Sequence, residues 1–379
     1  MSRHPAVWPT PQHMLRACAP DAPVAFFAPS VLAQTAARFQ AGFPGLVTYA
    51  VKANDAPDVL DTLVASGLRA FDVASPEEMT RIRAARRDAV LHYNNPVRSL
   101  AELAQARAQG VASYAIDDGG ELAKLAAHVP SDGVEVSIRL KLPVAGAAYD
   151  FGAKFGVPPE RCVTLLQQAE AHGFRPAMTF HPGTQCTDPA AWGAYIHACA
   201  DVARAANVTL ARLNVGGGFP AQRGPDAPDL EAVFTAISAA TRAAFGPTPP
   251  ALLCEPGRAM VAEAGVLATR VKALRDTGAV FLNDGIYGGL GEAPVMGTVD
   301  RITVLAPDGT PRRAAPVART VFGPTCDSLD QLPGTLDLPG DIGAGDYVLF
   351  HGMGAYGGVT ATRFNGYGRI VPATVQSLI

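Results

Sequence analysis

Thr48-Tyr49-Ala50-Val51-Lys52-Ala53-Asn54 is an apolar run that delivers one lysine and then breaks at Asn54, Asp55 and Pro57. It reads as a buried strand ending in an amine. A cation is costly to bury in so apolar a setting, so Lys52 is expected to be exposed, paired, or condensed with an aldehyde cofactor. Taken alone it reads as a strand-end lysine reaching water. The rest of the chain decides between these readings.

Outward from this run, short apolar stretches recur and end near Lys52, Asp72, Asn94, Ile116, Leu140, Phe180, Val215 and Cys254. Between them lie Ala- and Leu-rich segments of helical character, such as Glu77 to Arg86 and Pro158 to Ala171. Eight strand-helix units over about 210 residues fit a (β/α)8 TIM barrel, whose reactive groups gather at the carboxyl ends of the strands. Lys52 closes the first run, Asp72 falls within the second, Asn95 follows the third and Asp117 the fourth. Arg139 sits in the fifth, His181 follows the sixth, Gly216-Gly217-Gly218 the seventh and Glu255 the eighth. A doubly wound sheet alternates in the same way and is the alternative. Before the barrel, Pro23 to Ala28 reads as a strand leading into a helix from about Ser30. From about Ala259 the helical periodicity fades into β-branched runs, Arg301 to Leu305 and Val317 to Phe322, between Pro and Gly turns. A second, β-rich domain of roughly 120 residues is expected there, with a hairpin turn at Pro307-Asp308-Gly309-Thr310.

At 379 residues, 48% hydrophobic and 17% charged, the chain is long enough for one large domain and a smaller one. A net charge of -3 without a Lys/Arg cluster gives no footprint for nucleic acid or anionic lipid. The apolar stretches are too short for a membrane span, and the N-terminus lacks the basic-then-apolar layout of a secretory signal, so a cytoplasmic protein is expected. Six scattered cysteines without C-x-x-C spacing suggest neither a zinc site nor a disulfide framework.

Three motifs carry further chemistry. Asn214-Val215-Gly216-Gly217-Gly218-Phe219 lets backbone N–H groups approach an anion closely, and the last two strand loops of such barrels commonly hold phosphate. Cys254-Glu255-Pro256-Gly257-Arg258 supplies a carboxylate and a guanidinium able to clamp the same phosphate; in isolation it reads as a surface ion pair. His181-Pro182-Gly183-Thr184-Gln185 puts an imidazole able to stack on a planar cofactor beside a hydroxyl able to bond its phosphate. In the β domain, Cys326 beside Asp327 reads either as a loop thiol next to a solvated charge or as a proton donor next to a binder of a substrate ammonium.

With these motifs in order, the chain resembles the alanine-racemase-like pyridoxal phosphate enzymes, and among them the ornithine/diaminopimelate/arginine decarboxylases. The shared segments are YAVKAN, FDVAS, KFG, HPGTQ, NVGGGF, CEPGR, NDGIYG, FGPTCDSLD, GDYVLF, MGAY and FNGY. The resemblance implies that Lys52 holds the cofactor covalently, that Glu255 pairs with its pyridine nitrogen and that His181 stacks on its ring. Asp72 and Arg139 then support that shell, and Thr184, Gly217, Gly218, Gly257, Arg258 and Tyr356 hold the phosphate. It implies a barrel over residues 25–258, a β domain over 259–379, and residues 1–24 packed with the β domain. It also implies a homodimer in which Cys326 and Asp327 enter the partner's active site.

A carboxylate at the pyridine nitrogen makes the ring a strong electron sink, which suits loss of CO2 from an amino acid followed by protonation at Cα by Cys326. Racemases of this fold place an arginine there instead, so Glu255 argues against racemization. Asp327 resembles the residue of the basic-amino-acid decarboxylases and favours ornithine or lysine, because an unmatched buried charge is penalised. Tyr287 and Glu292 join the expected substrate pocket. Met296 stands where ornithine decarboxylases carry a second substrate aspartate; Glu292 is the candidate replacement, and diaminopimelate or a modified diamino acid is the alternative substrate. A non-catalytic relative of the antizyme-inhibitor kind and a single-barrel cofactor carrier are the readings from other classes.

Overall fold

The computed structural model describes residues 7–142 and 154–379. Numbered along the chain, β1 is Val24–Phe27 and the next eight strands form a closed parallel barrel. These are β2 (Leu46–Ala50), β3 (Ala70–Val73), β4 (Val90–Tyr93), β5 (Ser113–Ile116), β6 (Glu135–Arg139), β7 (Arg175–Thr179), β8 (Arg212–Asn214) and β9 (Ala251–Cys254). Closure is made where β2 pairs with β3 through Ala50 and Asp72 and with β9 through Leu46 and Leu253. Strands such as β3 and β5 are buried along their whole length, which is why they read as continuous apolar runs rather than alternating ones.

The helices between them start where local chemistry says they should. Ser75 caps Pro76–Ala85, Ser99 and Glu102 form a capping box for Leu100–Ala108, and Asp118 caps Gly119–His128. On the outside of the barrel Phe39, Phe219, Phe234 and Trp192 interlock at centroid distances of 5.2 to 5.9 Å, each contact worth about 0.5–1.5 kcal/mol beyond its buried area. Near the amino-terminal ends of the strands lies a polar layer. Glu135 accepts from the Ser113 hydroxyl and from Arg212 Nε, both at 3.0 Å. His92 is buried in the same layer, and burial first, then the Arg212 charge, pushes it down to about 3.

The remaining strands are β10 (Gly265–Leu274), β11 (Val280–Leu282), β12 (Ile302–Leu305), β13 (Pro316–Arg319), β14 (Val321–Phe322), β15 (Leu336–Pro339), β16 (Tyr347–His351) and β17 (Val371–Thr374). The order β12-β16-β10-β1-β17 forms the main path of a seven-stranded sheet, with β11 and β14 attached through β10. Leu267, Val271, Val280, Leu282, Val348 and Phe350 form its core. Two compact units result: Ala36–Pro220 with Pro228–Ala259, which holds the barrel, and Met1–Thr35 with Ala221–Ala227 and Met260–Ile379, which holds the second sheet.

Strand β1, drawn by the sequence boundary at residue 25 into the barrel domain, lies in the second sheet. The barrel closes on eight other strands and has no edge to offer, whereas β1 is paired on both sides, antiparallel with β10 and parallel with β17. The run from Val317 to Phe322 is likewise two strands: β13 pairs with β15, and β14 pairs with β11. The turn at 307–310 forms, with the Ala306 N–H donating to Thr310 O at 2.8 Å and Gly309 at φ +87°. Among the described residues no helix is long and apolar enough to cross a membrane, and no group of three or more His, Cys, Asp or Glu is placed to hold a metal.

Candidate active site

β2 ends at Ala50, two residues before the lysine. Val51–Ala53 form a short 3-10 turn in which Val51 and Ala53 are buried and Lys52 faces solvent. The Ala50 N–H donates to Pro256 O at 3.3 Å, the Asn54 N–H to Val51 O at 3.1 Å, and the Tyr49 hydroxyl to Asn54 O at 2.9 Å. The amine is therefore presented on a fixed turn two residues past the strand, rather than as the strand's last residue.

Asp72 on β3 and Glu255 after β9 are almost wholly buried, at 4% and 8% exposure, and both feel the charges of Lys52 and Arg139. Burial raises both carboxyls above their ordinary range, and the Asp72 charge raises Glu255 further. Lys52 and Arg139 oppose this at both, and a side-chain amide opposes it at each, Asn94 at Asp72 and Asn214 at Glu255. The pair therefore retains a proton more tightly than two solvated carboxyls would. Glu255 Oε1 accepts from the side-chain amides of both Asn94 and Asn214, while no hydrogen bond from the described residues reaches Oε2. Arg139 is itself lowered by burial, and its guanidinium lies 5.4 Å from the Phe155 ring centre.

His181, on the loop after β7, is held well below its ordinary range by burial first, then by Arg139 and Lys52, so the imidazole is neutral. The Gly183 N–H donates to its Nδ1 at 3.0 Å, which leaves the proton on Nε2. The glycine loop after β8 is required by space and by backbone. Gly216 and Gly218 have φ of +71° and +82°; a Cβ on Gly216 would stand 2.1 Å from Phe180 O and one on Gly218 2.3 Å from Gly183 O. A Cβ on Gly217 would stand 2.8 Å from Glu255 O and 3.2 Å from His181 Nε2. Asn214 ties this loop to the carboxylate, since its Oδ1 accepts from the Gly216 N–H at 2.9 Å while its amide donates to Glu255. Thr184 is half-buried on the His181 loop, and Gly257 and Arg258 are buried immediately after Glu255.

The other expected residues belong to the second unit. Cys326 is exposed, and both its N–H and its thiol donate to Asn365 Oδ1, at 3.1 and 3.2 Å. Asp327 accepts from the Leu329 N–H at 3.0 Å and from the Tyr287 hydroxyl; these two bonds hold its carboxyl below the usual range. Tyr287, expected to bind substrate, thus has its hydroxyl on Asp327. Glu292 stands at the N-cap position of the short helix Ala293–Met296 and lines a small pocket with Arg223, Leu290, Phe350 and Met353. Tyr356 stands at φ +62°, its carbonyl accepting from the Thr360 hydroxyl.

The family model for the pyridoxal binding domain of pyridoxal-dependent decarboxylases matches residues 30–262. A lysine/ornithine decarboxylase of Selenomonas ruminantium is 34% identical over 333 residues, covering 85% of this chain and 81% of that relative. The chain belongs to the pyridoxal-dependent decarboxylases. A Vibrio vulnificus lysine/ornithine decarboxylase, solved as a complex with cadaverine, is 27% identical, with a TM-score of 0.82 over 94% of this chain and 95% of that one. The arginine decarboxylase of Paramecium bursaria Chlorella virus, at 24% identity and a TM-score of 0.86 over 95% and 98% of the two chains, shares the fold.

Pyridoxal phosphate is the cofactor of this decarboxylase, and the barrel mouth fits it on two observations. The three glycines after β8, where a Cβ would collide with backbone oxygens of the His181 and Glu255 loops, let the main chain itself approach an anion, and Glu255 keeps one carboxylate oxygen available for a ring N–H. Sequence reasoning missed Asn94 and Asn214, pointing instead to Asn95; the available signal was that each amide stands at a strand end, as the charged candidates do. It also missed Glu78, whose Oε2 accepts from the Ala74 N–H at 2.6 Å and which burial, with Asp72 adding, pushes up to about 7.

Proposed function

We propose that the decarboxylase removes the α-carboxylate of a basic L-amino acid, ornithine or lysine, and releases the diamine. The observation that carries the choice of substrate is Asp327: a half-buried carboxylate, oriented on both oxygens and kept ionised, suited to a distal ammonium. The Selenomonas relative, by its name, acts on lysine and ornithine, and the Vibrio structure holds a diamine, which supports the reading.

Bound pyridoxal phosphate supplies the electron sink that accepts the electron pair left at Cα when CO2 departs. In the proposed division of labour Lys52 holds the cofactor and later displaces product. Glu255 keeps a proton on the ring nitrogen, with Asn94 and Asn214 fixing the carboxylate's plane. His181, being neutral, packs its face on the ring without competing for that proton. Gly217, Gly218, Thr184, Gly257 and Arg258 hold the phosphate, joined by Tyr356, while Asp72 and Arg139 set the charge around Lys52. Cys326 delivers a proton to Cα, and Asp327 reads the far end of the substrate. Following the family resemblance, two copies of the chain would assemble so that Cys326 and Asp327 of one serve the barrel of the other, in the cytoplasm.

The test is CO2 release by the loaded enzyme across a panel of amino acids, repeated with Asp327→Ala. The reading expects ornithine and lysine to lead and to lose their lead in the variant; an acidic or small neutral amino acid turning over fastest would overturn it.

A further inference from the structure

Asn365 lies within Phe364–Gly366 at φ 52°, ψ 17°, a left-handed conformation that asparagine tolerates better than most side chains. Its Oδ1 accepts twice from one residue, from the Cys326 N–H at 3.1 Å and from the Cys326 thiol at 3.2 Å. The first bond fixes the main chain of the cysteine and the second selects its χ1 rotamer, so the thiol of an otherwise exposed loop residue is held in one position. The turn is itself anchored. The Thr362 N–H and hydroxyl donate to Tyr287 O at 2.8 and 3.0 Å, the Phe364 N–H donates to Thr362 Oγ1 at 3.2 Å, and the rings of Phe364 and Tyr287 lie 4.9 Å apart. Because the Tyr287 hydroxyl binds Asp327, the neighbouring residues Cys326 and Asp327 are braced from the same turn.

We infer that Asn365 is a positioning residue for the reaction, aiming the Cys326 thiol at Cα. The inference rests on the reading that Cys326 delivers this proton. As the proton leaves sulfur the S–H bond breaks and the Cα–H bond forms with the electron pair left by CO2; the thiolate then recovers a proton from water. Without the brace the thiol rotates among its rotamers, and the electron pair is more often protonated elsewhere than at Cα. Less amine is then released for each CO2.

Two readouts test this in purified protein. The first is amine released per CO2 by the loaded enzyme. The second is the rate at which iodoacetamide modifies Cys326 in cofactor-free protein, mapped by peptide mass and normalised to exposed Cys18. Wild type should give about one amine per CO2, and Cys326→Ala clearly less. Asn365→Gly, which keeps the left-handed backbone at no steric cost, should lower the ratio and speed Cys326 labelling several-fold. Asn365→Asp retains an acceptor oxygen at the same place and should restore both. The inference is overturned if Asn365→Gly matches wild type on both readouts while Cys326→Ala does not, or if Asn365→Asp fails as Asn365→Gly does. A wild-type ratio in Cys326→Ala would instead remove the proton-donor reading beneath it.

Discussion

At the scale of single residues the site turns on how Glu255 is held. Two amides converge on one of its oxygens and leave the other for the proposed bond to a ring N–H. Glu255→Gln keeps the shape and removes the charge, so it should lower kcat by about 10–100-fold, the range expected when one charge-assisted hydrogen bond of about 1.5–3 kcal/mol is lost. Steady-state kinetics alongside cofactor retention would check this, and unchanged kcat would contradict it. Asp327→Ala should raise KM for ornithine and lysine by about tenfold or more and alter kcat less, because it removes the counter-charge of a distal ammonium. An unchanged KM would detach Asp327 from substrate. The titratable members of the site were legible in sequence because lysine, aspartate, histidine and glutamate stand out at the ends of apolar runs. Asn94 and Asn214 were not, since an amide's role depends on what it meets, and the carboxylate they share lies 161 and 41 residues away in the chain.

At the scale of elements, the loop after β8 carries both the backbone demand and the proposed anion site. Gly218→Ala would place a methyl 2.3 Å from Gly183 O at φ +82°. It should cost about 1–3 kcal/mol of stability and weaken cofactor affinity at least several-fold. Gly246→Ala is the control. Its φ of +70° is equally unfavourable, but no atom lies within 4 Å, so it should lower Tm without changing the Kd for pyridoxal phosphate. Equal cofactor affinity in the two variants would contradict the proposed role of the loop. The barrel could be read from sequence because parallel strands covered on both faces leave unbroken apolar runs between helical segments. Strand β1 looked the same locally and was assigned to the wrong sheet, because its partners β10 and β17 follow the whole barrel in the chain. The lysine turn at Val51–Ala53 was hidden for a related reason: the carbonyl that pins it belongs to Pro256, at the far side of the barrel's closure.

At the scale of the whole molecule, the neutral His92 in the polar layer of the barrel couples folding to pH. Its pKa is pushed down to about 3 in the folded chain against an ordinary 6.5, so the unfolded state binds the extra proton between those values and stability falls as pH drops below 6.5. This one group should cost about 2 kcal/mol by pH 5 relative to neutral pH. The raised carboxyls Asp72, Glu78 and Glu255 act in the opposite sense, losing stability as pH rises through their folded values. They are common to wild type and His92→Asn, so the difference in pH slope of the urea midpoint between these two isolates the histidine. Parallel slopes would contradict its being buried neutral. The attachment of the cofactor to Lys52 is tested by reducing the loaded enzyme with borohydride, digesting it and locating the fixed cofactor by peptide mass spectrometry. The phosphopyridoxyl group should appear on the peptide that carries Lys52. Its absence, or its appearance on another lysine such as Lys141 or Lys154, would contradict the assignment of the barrel mouth.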